Sequence, residues 1–126
     1  MKSTPIIFRV DQGEHHPVFC LRQITVADDS ALLQRFIDIA DAEDKAETAY
    51  RIKADVLAEW ATPWPEDLKR DGKKVKRPDE ALDSAEAVQN FFADADVDKD
   101  WISETAVNTL RMRHQPSVSF FTDSKQ

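Results

Sequence analysis

One segment sets the main constraint on the fold: between residues 43 and 60, small and apolar side chains recur every three or four residues. The face that they share consists of Ala46, Ala49, Tyr50, Lys53, Val56, Leu57 and Trp60. This spacing is typical of an amphipathic helix, and the alanines favour helix and allow a neighbour to approach closely. We predict a helix from about Glu43 to Glu59, which ends before Pro63 because the residue preceding a proline avoids the helical conformation.

Three other segments have helical periodicity. Thr25 and Asp28 form a capping-box pattern ahead of the first helix, whose inner face is predicted to carry Leu32, Leu33, Phe36, Ile37 and Ala40. The acidic residues 41–44 predict a break before the next helix, with one continuous helix as the alternative. Asp83 and Glu86 predict the start of a short helix, and a last helix is predicted from about residue 98 to 114.

The inner faces of these four helices supply the predicted core. It consists of Phe36, Ile37, Val56, Leu57, Val88, Phe91, Ile102 and Leu110. Residues 5–26 predict a β-hairpin, because apolar side chains alternate from Ile6 to Val10 and again from Phe19 to Leu21. A hairpin is marginal alone in water and needs a helical layer on its apolar face.

The predicted fold class is therefore α+β and mainly α, with an N-terminal β-hairpin packed on a bundle of about four helices. Residues 1–115 are predicted to form a single domain, in which two helices span 27–60, a loop spans 61–82 and two helices span 83–114. Residues 116–126 are predicted to form a C-terminal tail.

Composition narrows the classes of function. The net charge of −7 argues against nucleic-acid binding and against an anionic membrane surface. No segment is apolar enough for a signal peptide or a membrane span, so we expect a cytoplasmic location. The single cysteine, Cys20, excludes an internal disulfide, and its apolar neighbours predict a buried, unreactive thiol.

Sequence templates for catalysis and metal binding do not fit. The alternating acids from Asp94 to Asp100 resemble a calcium loop, but Lys99 and Thr105 stand where an EF-hand needs glycine and glutamate. His15 and His16 have no third ligand at a suitable spacing. Nucleophile and phosphate-loop motifs are absent from the sequence. We expect no enzymatic activity, no metal and no cofactor.

Four aromatic side chains are candidates for partner binding: Trp60, Trp64, Phe120 and Phe121. Trp64 lies between two prolines in the predicted loop, where it either covers the core or docks onto a partner. Six cations crowd between residues 69 and 77 of this loop, around Asp71-Gly72. We interpret them as a solvated hairpin rather than a nucleic-acid site, because no aromatic residues alternate with them.

Three short motifs carry a family resemblance: Val56-Leu57-Ala58-Glu59-Trp60, Asp71-Gly72-Lys73-Lys74-Val75, and the segment from Ala85 to Phe92. Together with the strand-like Leu21–Val26 ahead of a Thr-initiated helix, they resemble the tail assembly chaperones of long-tailed bacteriophages. The resemblance implies a non-enzymatic chaperone of virion morphogenesis, made in the bacterial host cell. Such a chaperone coats the helix-rich tape-measure protein and self-associates.

The sequence leaves two alternatives. Residues 79–104 contain nine acids and one lysine, which suggests a small acidic phage inhibitor of a host nucleic-acid-binding complex, similar in kind to an anti-CRISPR protein. The neighbouring basic cluster argues against close imitation of phosphate charge. A structural component of the virion tail is the third hypothesis.

Overall fold

Four helices and a small β-sheet make up the fold, which is α+β and mainly α, as predicted. The computed structural model describes residues 4–94 and 96–113. In chain order the elements are β1 (Ile6–Arg9), β2 (Val18–Leu21), α1 (Val26–Asp38), α2 (Lys45–Trp60), β3 (Lys69–Arg70), β4 (Lys73–Lys74), β5 (Ala81–Leu82), α3 (Ala85–Ala93) and α4 (Lys99–Arg113). Their buried apolar side chains form one hydrophobic cluster.

The predicted N-terminal hairpin is confirmed. Strands β1 and β2 are antiparallel, and Ile6 lies opposite Leu21 while Phe8 lies opposite Phe19. The rings of Phe8 and Phe19 stack with their centroids 5.6 Å apart, which packs the apolar face of the hairpin tightly. Gly13, in the connecting turn, has a positive φ of 60°, a conformation that glycine adopts without steric cost.

The sheet has a third strand, β5, which lies in the segment predicted as a loop (61–82). It pairs with β2 in parallel, with Val18 opposite Ala81 and Phe19 opposite Leu82. A two-residue strand is too short to show an alternating pattern, and its pairing partner lies about sixty residues earlier in the chain. The sheet order is β1-β2-β5, so the hairpin is closed on one side by β5.

Helix α2 contacts each of the other three helices, and its C-terminus is hydrogen-bonded to strand β2. The backbone N–H of Arg22 donates to the carbonyl of Trp60 at 2.8 Å, and that of Thr62 donates to Cys20 at 3.0 Å. Lys53, the only charge in the predicted stripe, is 7% exposed and bonds through Nζ to Asp100 Oδ1 at 2.8 Å. A buried cation is tolerated here because a carboxylate accepts from it.

The core prediction is right for α2 and α4 and only partly right for α3 and α1. Five of the predicted side chains are buried: Val56, Leu57, Val88, Ile102 and Leu110. Phe36 and Phe91 are half-buried against the core. Ile37, however, is 64% exposed and Leu33 is 40% exposed. The inner face of α1 is formed by Leu32, Phe36 and Ile39. Leu33 and Ile37 each follow one of these residues in sequence, so they lie about 100° away around the helix and face solvent.

The ends of the helices follow their capping residues. Thr25 and Asp28 make the predicted capping box, and the predicted break separates α1 from α2. Helix α3 is capped by Ser84, whose Oγ accepts from the N–H of Ala87, and not by Asp83 as predicted. The carboxylate of Asp83 accepts instead from Arg77, a residue that lies too far back for a local capping pattern to reveal.

Most of the predicted loop at 61–82 remains irregular, but it contains the β3–β4 hairpin. Asp71 and Gly72 both have positive φ, 55° and 79°, as the turn of a tight two-residue hairpin requires. Among the described residues, no helix combines the length and the apolar content needed to cross a bilayer.

We expect Leu57→Ala to lower the free energy of unfolding by about 2–5 kcal/mol, because Leu57 is fully buried in the core and its truncation leaves a cavity. Chemical denaturation followed by circular dichroism measures this loss. The matched control is Leu33→Ala on α1, which should cost less than about 1 kcal/mol since the side chain is already partly in solvent. Equal losses at the two positions would contradict the assigned inner face of α1.

Candidate functional site

Three of the five large apolar side chains that are exposed among the described residues lie on α1. Val26 is 62% exposed, and with Leu33 and Ile37 it follows a spacing of seven and four residues. At 100° per residue these three side chains lie within about 40° of one another around the helix. Ser30 completes the stripe, and Ala27 and Ala31 are exposed beside it. We refer to Val26, Ser30, Leu33 and Ile37 as the outer face of α1.

Charged contacts at its N-terminus fix this helix to the rest of the protein. Asp28 Oδ2 accepts from the N–H of Thr25 at 2.9 Å and from Arg22 Nη1 at 3.0 Å. Asp29 Oδ1 accepts from Arg111 Nε, on α4, at 2.7 Å. These acids also lie at the positive end of the helix dipole. The outer face is therefore presented by an anchored helix, which limits the entropy lost when a partner binds.

Exposed acids follow the outer face along the chain. Asp38 ends α1, and Asp41, Glu43 and Asp44 are exposed in the turn that leads to α2. Gln34, beside the stripe, donates through Nε2 to Asp38 at 2.9 Å. The surface thus combines an apolar stripe with negative charge at one end, and it contains no group that suits bond-making chemistry.

The exposed apolar side chains of α4 do not make a comparable surface. Trp101 and Met112 are exposed, but they lie three turns apart with Thr105 and Asn108 between them on the same side. Polar residues therefore interrupt the contact that a partner helix could make.

Two of the four predicted partner-binding residues lie in the described part of the chain. Trp60 is 3% exposed and belongs to the core, so its assignment to a surface contact is corrected. Its ring is covered by the guanidinium of Arg22, 5.8 Å from the ring centroid. Phe120 and Phe121, like the predicted tail at 116–126, lie outside the described residues. The sequence places Trp60 both on the inner face of α2 and among the partner-binding candidates. The helical periodicity, which predicts the inner face, agrees with the structure.

Trp64 is half-buried, and both its backbone and its side chain are hydrogen-bonded. Its backbone N–H donates to Asp83 Oδ2 at 3.3 Å, and its indole Nε1 donates to the carbonyl of Val75 at 3.4 Å. The ring lines an open groove of about 600 Å³ together with Pro65 and Val75. Both sequence interpretations of Trp64 are thus partly met: it is anchored to the protein and it leaves a surface accessible.

Groups suited to catalysis are not brought together in the described residues. Burial raises the pKa of Cys20 to about 11, so the thiolate that nucleophilic chemistry needs is not formed near neutral pH. His16 Nδ1 contacts Asp11 Oδ1 at 2.7 Å on the surface, and His15 lies edge-on to Phe91. Across residues 4–94 and 96–113, no three histidine, cysteine or acidic side chains converge as metal ligands.

The acidic run that resembles a calcium loop has structural roles. Asp94 Oδ1 accepts from the N–H of Asp96, and Asp98 Oδ1 accepts from the N–H of Trp101 at the start of α4. Asp100 pairs with Lys53. These carboxylates are directed at the chain itself rather than at a shared centre.

Comparisons with protein-family models, with curated proteins and with solved structures yield no match to this chain. Its function is therefore inferred from its surfaces.

The cap that anchors α1 should make stability depend on pH. The hydrogen bond from Arg22, with those from Thr25, lowers the pKa of Asp28 from 3.8 to about 2. Because the folded-state pKa is the lower one, this stabilisation is complete above pH 3.8 and is lost as the pH falls toward 2. Asp28→Asn should therefore cost about 1–2 kcal/mol near neutral pH and much less near pH 2.

Denaturant unfolding at several pH values measures this difference. Asp41→Asn serves as the control, since Asp41 is exposed in a turn, and its effect should stay below about 0.5 kcal/mol. A loss for Asp28→Asn that does not shrink in acid would show that the carboxylate acts through packing and not through its charge.

Proposed function

We propose that this protein is a non-enzymatic tail assembly chaperone of a bacteriophage, acting in the cytoplasm of the bacterial host. It binds apolar helical segments of the tape-measure protein and keeps them soluble during tail morphogenesis. The observation that carries the proposal is the outer face of α1, where Val26, Leu33 and Ile37 form an exposed apolar stripe on an anchored helix. The motif resemblance from Val56 to Phe92 supports the same class of function.

The size of the stripe suits reversible binding. From Val26 to Ile37 it extends over eleven residue steps, about 16 Å or three turns of helix. A partner helix laid along it makes contacts at the spacing that helix-in-groove recognition uses. The area covered is small compared with a permanent interface, so the complex should exchange readily. A chaperone that is replaced by tail-tube subunits needs a contact of this kind.

The acids near the outer face contribute to specificity and solubility. Asp38, Asp41, Glu43 and Asp44 favour a partner segment with basic residues at one end and disfavour acidic ones. The net charge of −7 keeps a coat of these molecules soluble around an apolar partner. Self-association, which the resemblance implies, is included in the proposal, because the stripe can also pair with the same stripe of a second copy.

The inhibitor hypothesis is the second candidate. It depends on acids between residues 79 and 104 acting as phosphate mimics. Two of them already pair with cations of the protein, Asp83 with Arg77 and Asp100 with Lys53. The exposed cations of β3 and β4 lie earlier in the same region of the chain and would repel a phosphate-binding surface. The observations therefore favour the chaperone.

The test introduces charge into the stripe. Leu33→Glu with Ile37→Glu should weaken binding to a helical tape-measure fragment by about tenfold or more, because each carboxylate would have to be desolvated in the contact. The helical circular dichroism should not change, since both side chains are exposed. Co-expression followed by size-exclusion chromatography and isothermal titration measures both effects.

The matched control adds the same charge to the same helix beside the stripe. Ala27→Glu with Ala31→Glu should bind within about threefold of the unchanged protein. The proposal fails if the folded protein ignores tape-measure fragments but binds a host nuclease or DNA-binding complex tightly. In that outcome the inhibitor hypothesis takes its place.

A further inference from the structure

A second surface, distinct from the outer face of α1, is built around Trp64. Two concavities adjoin there, of about 600 Å³ and 290 Å³, and both are lined by Trp64 and Val75. Pro65 extends the first and Leu68 the second, so the floor is apolar. We call the combined surface the basic groove, because of the side chains on its rim.

The rim of the basic groove is cationic. Lys74, Lys76 and Arg77 line the larger concavity, and Arg70 and Arg113 line the smaller one. The larger concavity contains one lining acid, Glu66. A rim of this sign is unexpected in a chain with a net charge of −7.

Four of these five cations have no carboxylate partner among the described residues. Arg77 pairs with Asp83, and Arg113 donates through Nη1 to the carbonyl of Ile7 at 2.9 Å. Within residues 4–94 and 96–113, Arg70, Lys74 and Lys76 form no ion pair. Elsewhere in the same residues, the arginines at 9, 22, 35, 51 and 111 each pair with a carboxylate. The two described arginines without a carboxylate partner, Arg70 and Arg113, thus both line the groove, although Lys45 and Lys99 are also without an ion pair elsewhere.

The strand register makes this arrangement costly for the isolated protein. In the β3–β4 hairpin, Lys69 lies directly opposite Lys74 and Arg70 lies directly opposite Lys73. Like charges in directly opposed positions destabilise a two-stranded ladder. A bound carboxylate would reduce this repulsion, so the charges of the hairpin favour an acidic ligand.

The floor decides between two kinds of acidic ligand. Single-stranded nucleic acids bind on several stacked aromatic side chains, whereas here Trp64 is the one aromatic that lines either concavity. The rest of the floor is aliphatic, from Pro65, Leu68 and Val75. Such a floor suits the apolar side chains of a peptide. The indole N–H of Trp64 already donates to the carbonyl of Val75, so the ring is held in place and its face can pack against a ligand.

We propose that the basic groove binds an acidic peptide segment of a partner protein. Apolar side chains of that segment pack on Trp64 and Val75, and its carboxylates pair with Arg70, Lys74 and Lys76. This inference does not depend on the outer face of α1, and it holds whether or not the tape-measure protein is the partner of that face.

The experiment measures the binding of a fluorescein-labelled peptide by anisotropy. The probe is a peptide of about twelve residues in which glutamate alternates with leucine, and the comparison peptide has lysine in place of glutamate. The full-length protein should bind the glutamate peptide at least about tenfold more tightly, and added salt should weaken the complex. Lys74→Glu with Lys76→Glu should reduce the affinity by about tenfold or more.

A matched variant controls for net charge. Lys45→Glu with Lys99→Glu changes the total charge equally, and the new acids lie in the first turns of α2 and α4, where they suit the helix dipole. This control should bind the peptide within about twofold. Trp64→Ala should also weaken binding by about tenfold, and the rim variant keeps the test decisive if the loss of Trp64 impairs folding.

Four outcomes would overturn the proposal. They are equal binding of the lysine peptide, tighter binding of a single-stranded oligothymidylate, self-association that the rim variant abolishes in sedimentation, and a tenfold or larger gain in peptide affinity when residues 114–126 are removed. The second assigns the groove to nucleic acid, the third to a second copy of the chain, and the fourth to the chain's own C-terminal segment. The third outcome would also move self-association from α1 to the groove, but none of the four bears on binding of the tape-measure protein at α1, so the two binding proposals fail separately.

Discussion

The junction between α2 and β2 is the interaction on which the rest of the structure depends. Two backbone hydrogen bonds, from Arg22 to Trp60 and from Thr62 to Cys20, connect the C-terminal end of α2 to the end of β2. They fix how the sheet lies against α2, which carries the buried Val56 and Leu57 and contacts α3 and α4. A buried backbone group without a partner costs as much as a lost hydrogen bond, so this junction has little freedom to shift. Beyond Ala61, which pairs with Leu21, the extended chain leads directly to Trp64.

The predictions succeeded where a single apolar face specifies the inside. In α2 the stripe has one charged interruption, Lys53, and the structure buries its C-terminal half from Lys53 to Trp60 as predicted, whereas Ala46 is exposed and Ala49 and Tyr50 are half-buried. In α1 the sequence offers two apolar faces, one through Leu32 and Phe36 and one through Leu33 and Ile37. Periodicity alone does not decide between them, because the choice depends on packing against α2 and on the pairing of Asp29 with Arg111. The face left outside is the candidate binding surface.

The basic groove shows a second limit of sequence reasoning. Its cations were evident as a cluster between residues 69 and 77, and the Asp71-Gly72 turn was predicted correctly. What the cluster lines was not evident, since Leu68 and Val75 meet Trp64 only after the hairpin folds back over the loop. The net charge of the chain does not predict the sign of the charge at this surface. A value of −7 averages an acidic turn after α1 with a basic rim around Trp64, and ligands respond to the local field and not to the average.

Asp83 links the basic groove to the folded core. It accepts from the backbone N–H of Trp64 and from the guanidinium of Arg77, which together connect the floor of the groove to its rim. The hydrogen bond from Arg77 lowers the pKa of Asp83, so the carboxylate is charged throughout the physiological range. Asp83 directly follows the buried strand β5, and its position is therefore set by the sheet. A ligand thus meets a floor and a rim that are already arranged, and less of its binding energy is spent on ordering them.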